Sequence, residues 1–140
     1  MSGEFKRYLG IDYGAARVGV AISDFDGRQA FPAKTLPAAV AVKEIARLAR
    51  EENIGLIVVG LPLEMSGREG ETAAAARKFG EKLAAESGLE VEFYDERLTS
   101  SGAEKLLIRE LDMSRAKRRE RLDSAAAATI LQGWLDKKNY

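Results

Sequence analysis

Tyr8–Asp24, YLGIDYGAARVGVAISD, carries two strand signals with an acid and a glycine between them. Its first half has the apolar character of a buried β-strand. In its second half Val18, Val20 and Ile22 alternate with Gly19, Ala21 and Ser23, the two-residue period of a second strand. A short Gly-containing turn joins them. Asp12 interrupts the first strand, with Gly14 two residues later. A carboxylate placed beside a hydrophobic strand is costly unless something compensates its charge. Asp-x-Gly is common turn chemistry, which is one account of Asp12. A bound cation is the other.

Working outward, DFDGRQA carries an Asp-Gly hairpin signal and leads into a third strand near Ala30–Leu36, so the chain begins as an antiparallel meander. The period then changes. Pro37 precedes a helical segment to about Glu52, with Val42, Ile45, Ala46 and Ala49 on one stripe. IGLIVVG is continuously apolar and β-branched, as a strand covered on both faces is. A Pro- and Gly-containing loop, LPLEMSGREG, leads to a helix over Glu71–Ser87, then to the short strand LEVEFYDE. Thr99–Leu111 reads as helix, with Ser101 and Glu104 spaced as a capping box, and a last helix runs to about Lys138. A meander followed by βα units predicts an α/β fold with a five-stranded mixed sheet and helices on its faces. With the first strand at the centre, three strand ends meet on one side, at Asp12, Gly60 and Glu96. Open α/β sheets place ligands at the carboxyl ends of their strands.

Composition narrows the chemistry. The 140 residues suit one domain, 1–140, and contain neither Cys nor His. Thiolate nucleophiles, zinc–thiolate centres and imidazole acid–base pairs are excluded. A metal would be held by oxygen, which favours hard ions such as Mg²⁺ or Mn²⁺. No apolar run is long enough to span a membrane and no signal-peptide segment precedes the first strand, so the expected place is the cytoplasm. Net charge is zero, but SRAKRRER (Ser114–Arg121) holds five basic residues and one acid, net +4. Such a run reads either as a solvated helix face or as a phosphate-contacting patch.

Three acids stand out. Asp12 and Glu96 follow strands. Asp123, in RLDSAAAATILQGWL, shares a helical stripe with Ala127, Ile130, Leu131 and Trp134, so it lies on the sheet-facing side. If the helix began at Leu122, Asp123 would be an ordinary N-cap; Glu96 could equally pair with Arg97 or Lys105. Converging carboxylates raise one another's pKa unless cations intervene. Two divalent ions roughly 4 Å apart can activate a water and stabilise the leaving oxygen of a phosphodiester.

With these residues in place the chain resembles the YqgF family of pre-16S rRNA nucleases, also described as Holliday junction resolvase-like proteins. The resemblance rests on LGIDYGAARVGVAISD, VVGLPLEMSGREG, DERLTS and LDSAAAATILQGWL, in that order, over roughly residues 5–136. It implies a ribonuclease H-like fold, catalytic and metal-binding roles for Asp12, Glu96 and Asp123, and one or two Mg²⁺ or Mn²⁺ ions. It further implies substrate contacts from Arg17, from the loop at Gly60–Pro62, from Arg97, Thr99 and Ser100, and from the basic segment that includes Lys117 and Arg118. Met65-Ser66-Gly67-Arg68 departs from the family's usual acidic or Asn residue followed by Gly. The implied partners are pre-rRNA, branched DNA and ribosomal particles, with no membrane, and the chain acting as monomer or homodimer. Competing readings are a DNA junction resolvase, which needs a symmetric dimer, a non-catalytic ribosome assembly factor, and a sugar-kinase-like ATP-binding domain. The last shares the first strand-turn-strand but needs two such domains.

Overall fold

The computed structural model describes residues 6–98 and 115–139, by backbone alone at 98 and over 115–120. Strands β1 (Arg7–Tyr13), β2 (Arg17–Ser23) and β3 (Ala30–Pro37) form the meander, followed by α1 (Ala38–Glu51), β4 (Ile54–Leu61), α2 (Glu71–Ser87), β5 (Val91–Asp95), a 3₁₀ turn (Glu96–Leu98) and α3 (Arg115–Lys138). The sheet order is β3-β2-β1-β4-β5, with β1 antiparallel to β2 and parallel to β4, and β4 parallel to β5. The expected five-stranded mixed sheet with β1 at its centre is therefore the observed one. The helix expected over Thr99–Leu111 lies outside the described residues.

Local chemistry sets the boundaries. Pro37 ends β3 in extended backbone (φ −60°, ψ 138°) and opens α1. Helix α2 ends at Gly88, whose left-handed φ of 74° suits a residue without a Cβ. Alternation along the strands then sends side chains to two different layers. Leu9, Ile11, Val18, Val20, Ile57 and Val59 face α1 and α2, where they meet Ile45, Ala49, Phe79 and Leu83. On the other face Ala21, Val58 and Tyr94 meet Ala127, Ile130, Leu131 and Leu135 of α3. The α1 stripe is as expected except that Ala41 is fully buried and Val42 only partly.

The two faces differ in bulk. The α1/α2 face is made of branched side chains, whereas the α3 face carries Gly10, Gly19, Ala21 and Gly60 at its centre. A Cβ at Gly10 would lie 2.6 Å from Leu131 Cβ and 2.8 Å from the Ala127 carbonyl oxygen. Those distances are well inside van der Waals contact, so α3 lies directly on the sheet backbone. This is the feature that positions the site.

Candidate active site

Asp12 sits near the carboxyl end of the central strand. Gly10 points at α3, and residues two apart on a strand share a face, so Asp12 also faces α3. It is half-buried. Its partner on β2 is Gly19. On its other side, the β1–β4 register that pairs Ile11 with Val59 brings Gly60 next to it. Asp12 is thus flanked across the sheet by two residues without side chains, on strands ~4.8 Å away on either hand.

Those two gaps are where the other acids come in. Gly60 pairs with Tyr94, whose face is that of α3, and Glu96 follows two residues later in the 3₁₀ turn. A Cβ on Gly60 would lie 2.8 Å from Glu96 Oε2 and 2.9 Å from its Cγ. The Glu96 side chain therefore lies back over β4, toward Asp12. On the opposite side, a Cβ on Gly19 would collide with the Asp123 carbonyl and come 3.1 Å from its Cα. Asp123 stands over the residue that pairs with Asp12. Helix α3 begins at Arg115, eight residues upstream, so Asp123 is not an N-cap; it is a mid-helix carboxylate on the sheet-facing side. The three acids named from the sequence occupy one side of the sheet, in the order Glu96, Asp12, Asp123 across β4, β1 and β2.

The Asp123 carboxylate is engaged. Arg17 Nε donates to Asp123 Oδ2 at 2.6 Å, across 106 residues of sequence. Arg17 is placed for this by the tight β1–β2 turn: a Cβ on Gly14 would lie 2.6 Å from the Arg17 carbonyl oxygen, so only glycine lets the chain reverse so sharply. The family resemblance implied a substrate contact for Arg17; its observed partner is the helix acid. Among the described residues no three acidic side chains stand close enough together to hold a metal ion as they are oriented. The donors are nonetheless the right kind for a hard cation, all carboxylate oxygens, and the two glycines are what let Glu96 and the Asp123 backbone come this close to the strands on either side of Asp12.

The rim is held by Arg97. Its guanidinium forks onto Asp95, Nη2 donating to Oδ2 at 2.7 Å, while Nη1 donates to the Met65 carbonyl at 3.1 Å. The hydrogen bonds from the Arg97 side chain hold the Asp95 carboxyl below its usual value, partial burial opposing them. This ties the β4–α2 loop, which carries Pro62, to the end of β5. Within the loop Gly67 N–H donates to the Glu64 carbonyl at 2.7 Å and Glu64 N–H to the Arg68 carbonyl at 2.9 Å. Gly67 takes a φ of 91° there, and Met65 is left 92% exposed. So Arg97 pairs with Asp95, not with Glu96, and its described contacts are to the protein. Thr99 and Ser100, and the side chains of Lys117 and Arg118, lie outside the described residues. Sequence reading brought Gly60 to this end of the sheet but missed Gly19 and Asp95 as parts of the arrangement. The Gly-x-Ala alternation on β2 was the available signal that something packs closely there.

The chain matches the RuvX family, described as Holliday junction resolvase, over residues 6–137. It is 48% identical over 131 residues to a protein of Chloroflexus aggregans (strain MD-66 / DSM 9485), spanning 91% of this chain and 92% of that one. It is 47% identical over 133 residues to one of Anaeromyxobacter sp. (strain Fw109-5), spanning 93% and 96%. Both bear the name "Putative pre-16S rRNA nuclease". The fold is similar to that of T. thermophilus RuvC in complex with Holliday junction substrate, with a TM-score of 0.60 at 13% identity over 96% of each chain. At that identity the likeness is one of fold, the ribonuclease H-like one that the four motifs implied.

Proposed function

We propose, since the chain belongs to the RuvX family, that it is a metal-dependent nuclease of the cytoplasm that processes the 5′ end of precursor 16S ribosomal RNA. The observation that carries this reading is the placement of Asp12 between two glycines, with Glu96 leaning over one and Asp123 standing over the other. Three acids from β1, the end of β5 and α3 share one face of the sheet.

In this reading Asp12, Glu96 and Asp123 hold one or two Mg²⁺ or Mn²⁺ ions. When bound, such an ion supplies the positive charge that offsets the three carboxylates and polarises a phosphodiester. The rest falls to the chain itself. Gly19 and Gly60 let Asp123 and Glu96 close in on the strands that flank Asp12. Arg17 stands at the edge of the site, close enough to meet a phosphate. Arg97 holds the Gly60–Pro62 turn and the loop beyond it in place, so that the substrate strand meets a fixed rim. Thr99, Ser100, Lys117 and Arg118 contact the nucleic-acid backbone, Lys117 and Arg118 from the basic first turns of α3. The whole of 1–140 works as one catalytic domain, on free precursor or on the ribosomal particle.

The test is cleavage of an end-labelled precursor 5′ segment and of a four-way DNA junction, each with Mg²⁺, Mn²⁺ or EDTA, alongside Asp12→Asn. The expected result is metal-dependent cutting of the RNA that the variant loses, although it folds as well as the parent without metal because one of three crowded charges is gone. Preferential cutting of the junction, the activity in the family's description, would make the substrate branched DNA. No cutting of either by folded protein or on ribosomal particles would leave an assembly factor that binds without cleaving.

A further inference from the structure

The 2.6 Å bond between Arg17 and Asp123 ties the start of β2 to α3, but it is not what seats the helix. Helix α3 is already seated by Ala127, Ile130, Leu131 and Leu135, all essentially buried, and by the backbone approach at Gly10 and Gly19. The pair lies at the open edge of the site, with Arg17 41% and Asp123 20% exposed by side chain. It runs from Nε to a single carboxylate oxygen. Monodentate pairs at this exposure are weak and easily exchanged, in contrast to buried or bidentate ones. A divalent ion at the same oxygen brings twice the charge. And the guanidinium, once released, offers a planar fork of donors suited to phosphate, two strands' width from Glu96.

We propose that Arg17 is a tethered counter-ion that occupies Asp123 while the site holds no metal, and that a divalent cation and the guanidinium exchange places on Asp123 Oδ2. This rests on the reading of Asp12, Glu96 and Asp123 as a metal site. Arg17 is then a positioning residue. It neutralises the Asp123 carboxylate before the ion arrives, and it is freed toward the substrate backbone only when the ion has bound. The exchange accounts for two facts together: the three acids share one face, yet among the described residues no three of them are gathered around a point. Loading would draw the Asp123 carboxylate off Arg17 and toward Asp12.

The experiment is calorimetric titration of the full chain, without nucleic acid, with Mn²⁺. Parent, Arg17→Gln, Arg17→Lys and Asp12→Asn are compared. If the exchange is right, Arg17→Gln binds Mn²⁺ about tenfold more tightly than the parent because its competitor is gone, and Arg17→Lys, which keeps the charge, stays within about threefold of the parent. Equal or weaker binding by Arg17→Gln, while Asp12→Asn abolishes binding, would overturn the exchange and leave the metal site standing. Binding that Asp12→Asn does not alter, or no binding by any form, would overturn the metal site and the exchange with it. Should Arg17→Gln fail to fold, the parent decides the matter by NMR. Its Arg17 Nε–H signal is expected at the position of a carboxylate-bonded guanidinium, moving to that of a solvated arginine on saturation with Mg²⁺. A signal that does not move under saturating Mg²⁺ overturns the proposal.

Discussion

Gly19→Ala is the substitution that tests the geometry of the site most severely. A methyl group at this position has no room. It collides with the Asp123 carbonyl and comes 3.1 Å from the Asp123 Cα, and both obstacles are helix backbone, which cannot rotate aside. Overpacking a core ordinarily costs about 1–3 kcal/mol, and a clash with backbone belongs at the upper end, about 3 kcal/mol. Replacing a strand glycine by alanine returns up to about 1 kcal/mol of chain entropy. The net loss is therefore about 2–3 kcal/mol, which for a chain of this size lowers Tm by about 10 °C. The assay is thermal unfolding by circular dichroism, with Gly55→Ala as comparison, since the atoms nearest its methyl belong to the Lys6 side chain, at 3.0 Å, and not to backbone. Lifting α3 also moves Asp123 away from Asp12, so nuclease activity should fall further than stability does at a temperature where the variant is folded. A Gly19→Ala protein as stable as the parent, or more so, would refute the close seating of α3 on β2 and with it the placement of Asp123.

Leu131→Ala removes a fully buried side chain that packs over Gly10; it is expected to cost about 2–5 kcal/mol in urea unfolding. Arg97→Ala releases both Asp95 and the Met65 carbonyl, so limited proteolysis should cut near Met65–Arg68 much faster while Tm changes little, because the ion pair is exposed. Asp24 is held below its usual 3.8, chiefly by the Arg28 backbone N–H, partly against burial, with Gln29 and Gly27 assisting. A depressed carboxylate stabilises the fold fully above its unfolded pKa and loses that contribution as pH falls through the folded value. The stability gap between parent and Asp24→Asn should therefore be constant near neutrality and shrink as the pH is taken below 3.8.

Much of the fold was legible because its signals are local and periodic. The two-residue alternation of β2, the unbroken apolar run of β4 and the 3.6-residue stripes of α1 and α3 each specify an element and its buried face. A meander joined to βα units then leaves few topologies. The side of the sheet taken by Asp12, Glu96 and Asp123 followed from strand ends and from the apolar neighbours of Asp123. What could not be read are the partners. Arg17 meets Asp123 across 106 residues, and nothing near either residue encodes the other. Arg97 had several acids within reach, and its choice of Asp95 depends on the 3₁₀ turn after β5. The importance of Gly19 and Gly60 lies in the bulk of what stands over them, which a one-dimensional pattern carries only as an absence of side chain. On β3, where the strand is exposed along most of its length, periodicity located the element but extended it to Leu36 and not to Pro37.

In the proposed function Asp12, Glu96 and Asp123 hold a cation together, beside Gly19 and Gly60. A crystal of the parent chain grown with Mn²⁺, recorded at a wavelength where manganese scatters anomalously, tests it directly. The account requires an anomalous peak against the Asp12 carboxylate, within ~2.5 Å of its oxygens, with Glu96 or Asp123 as a further ligand, and its loss in Asp12→Asn. Manganese bound elsewhere on the chain, or a peak that survives Asp12→Asn, would contradict it.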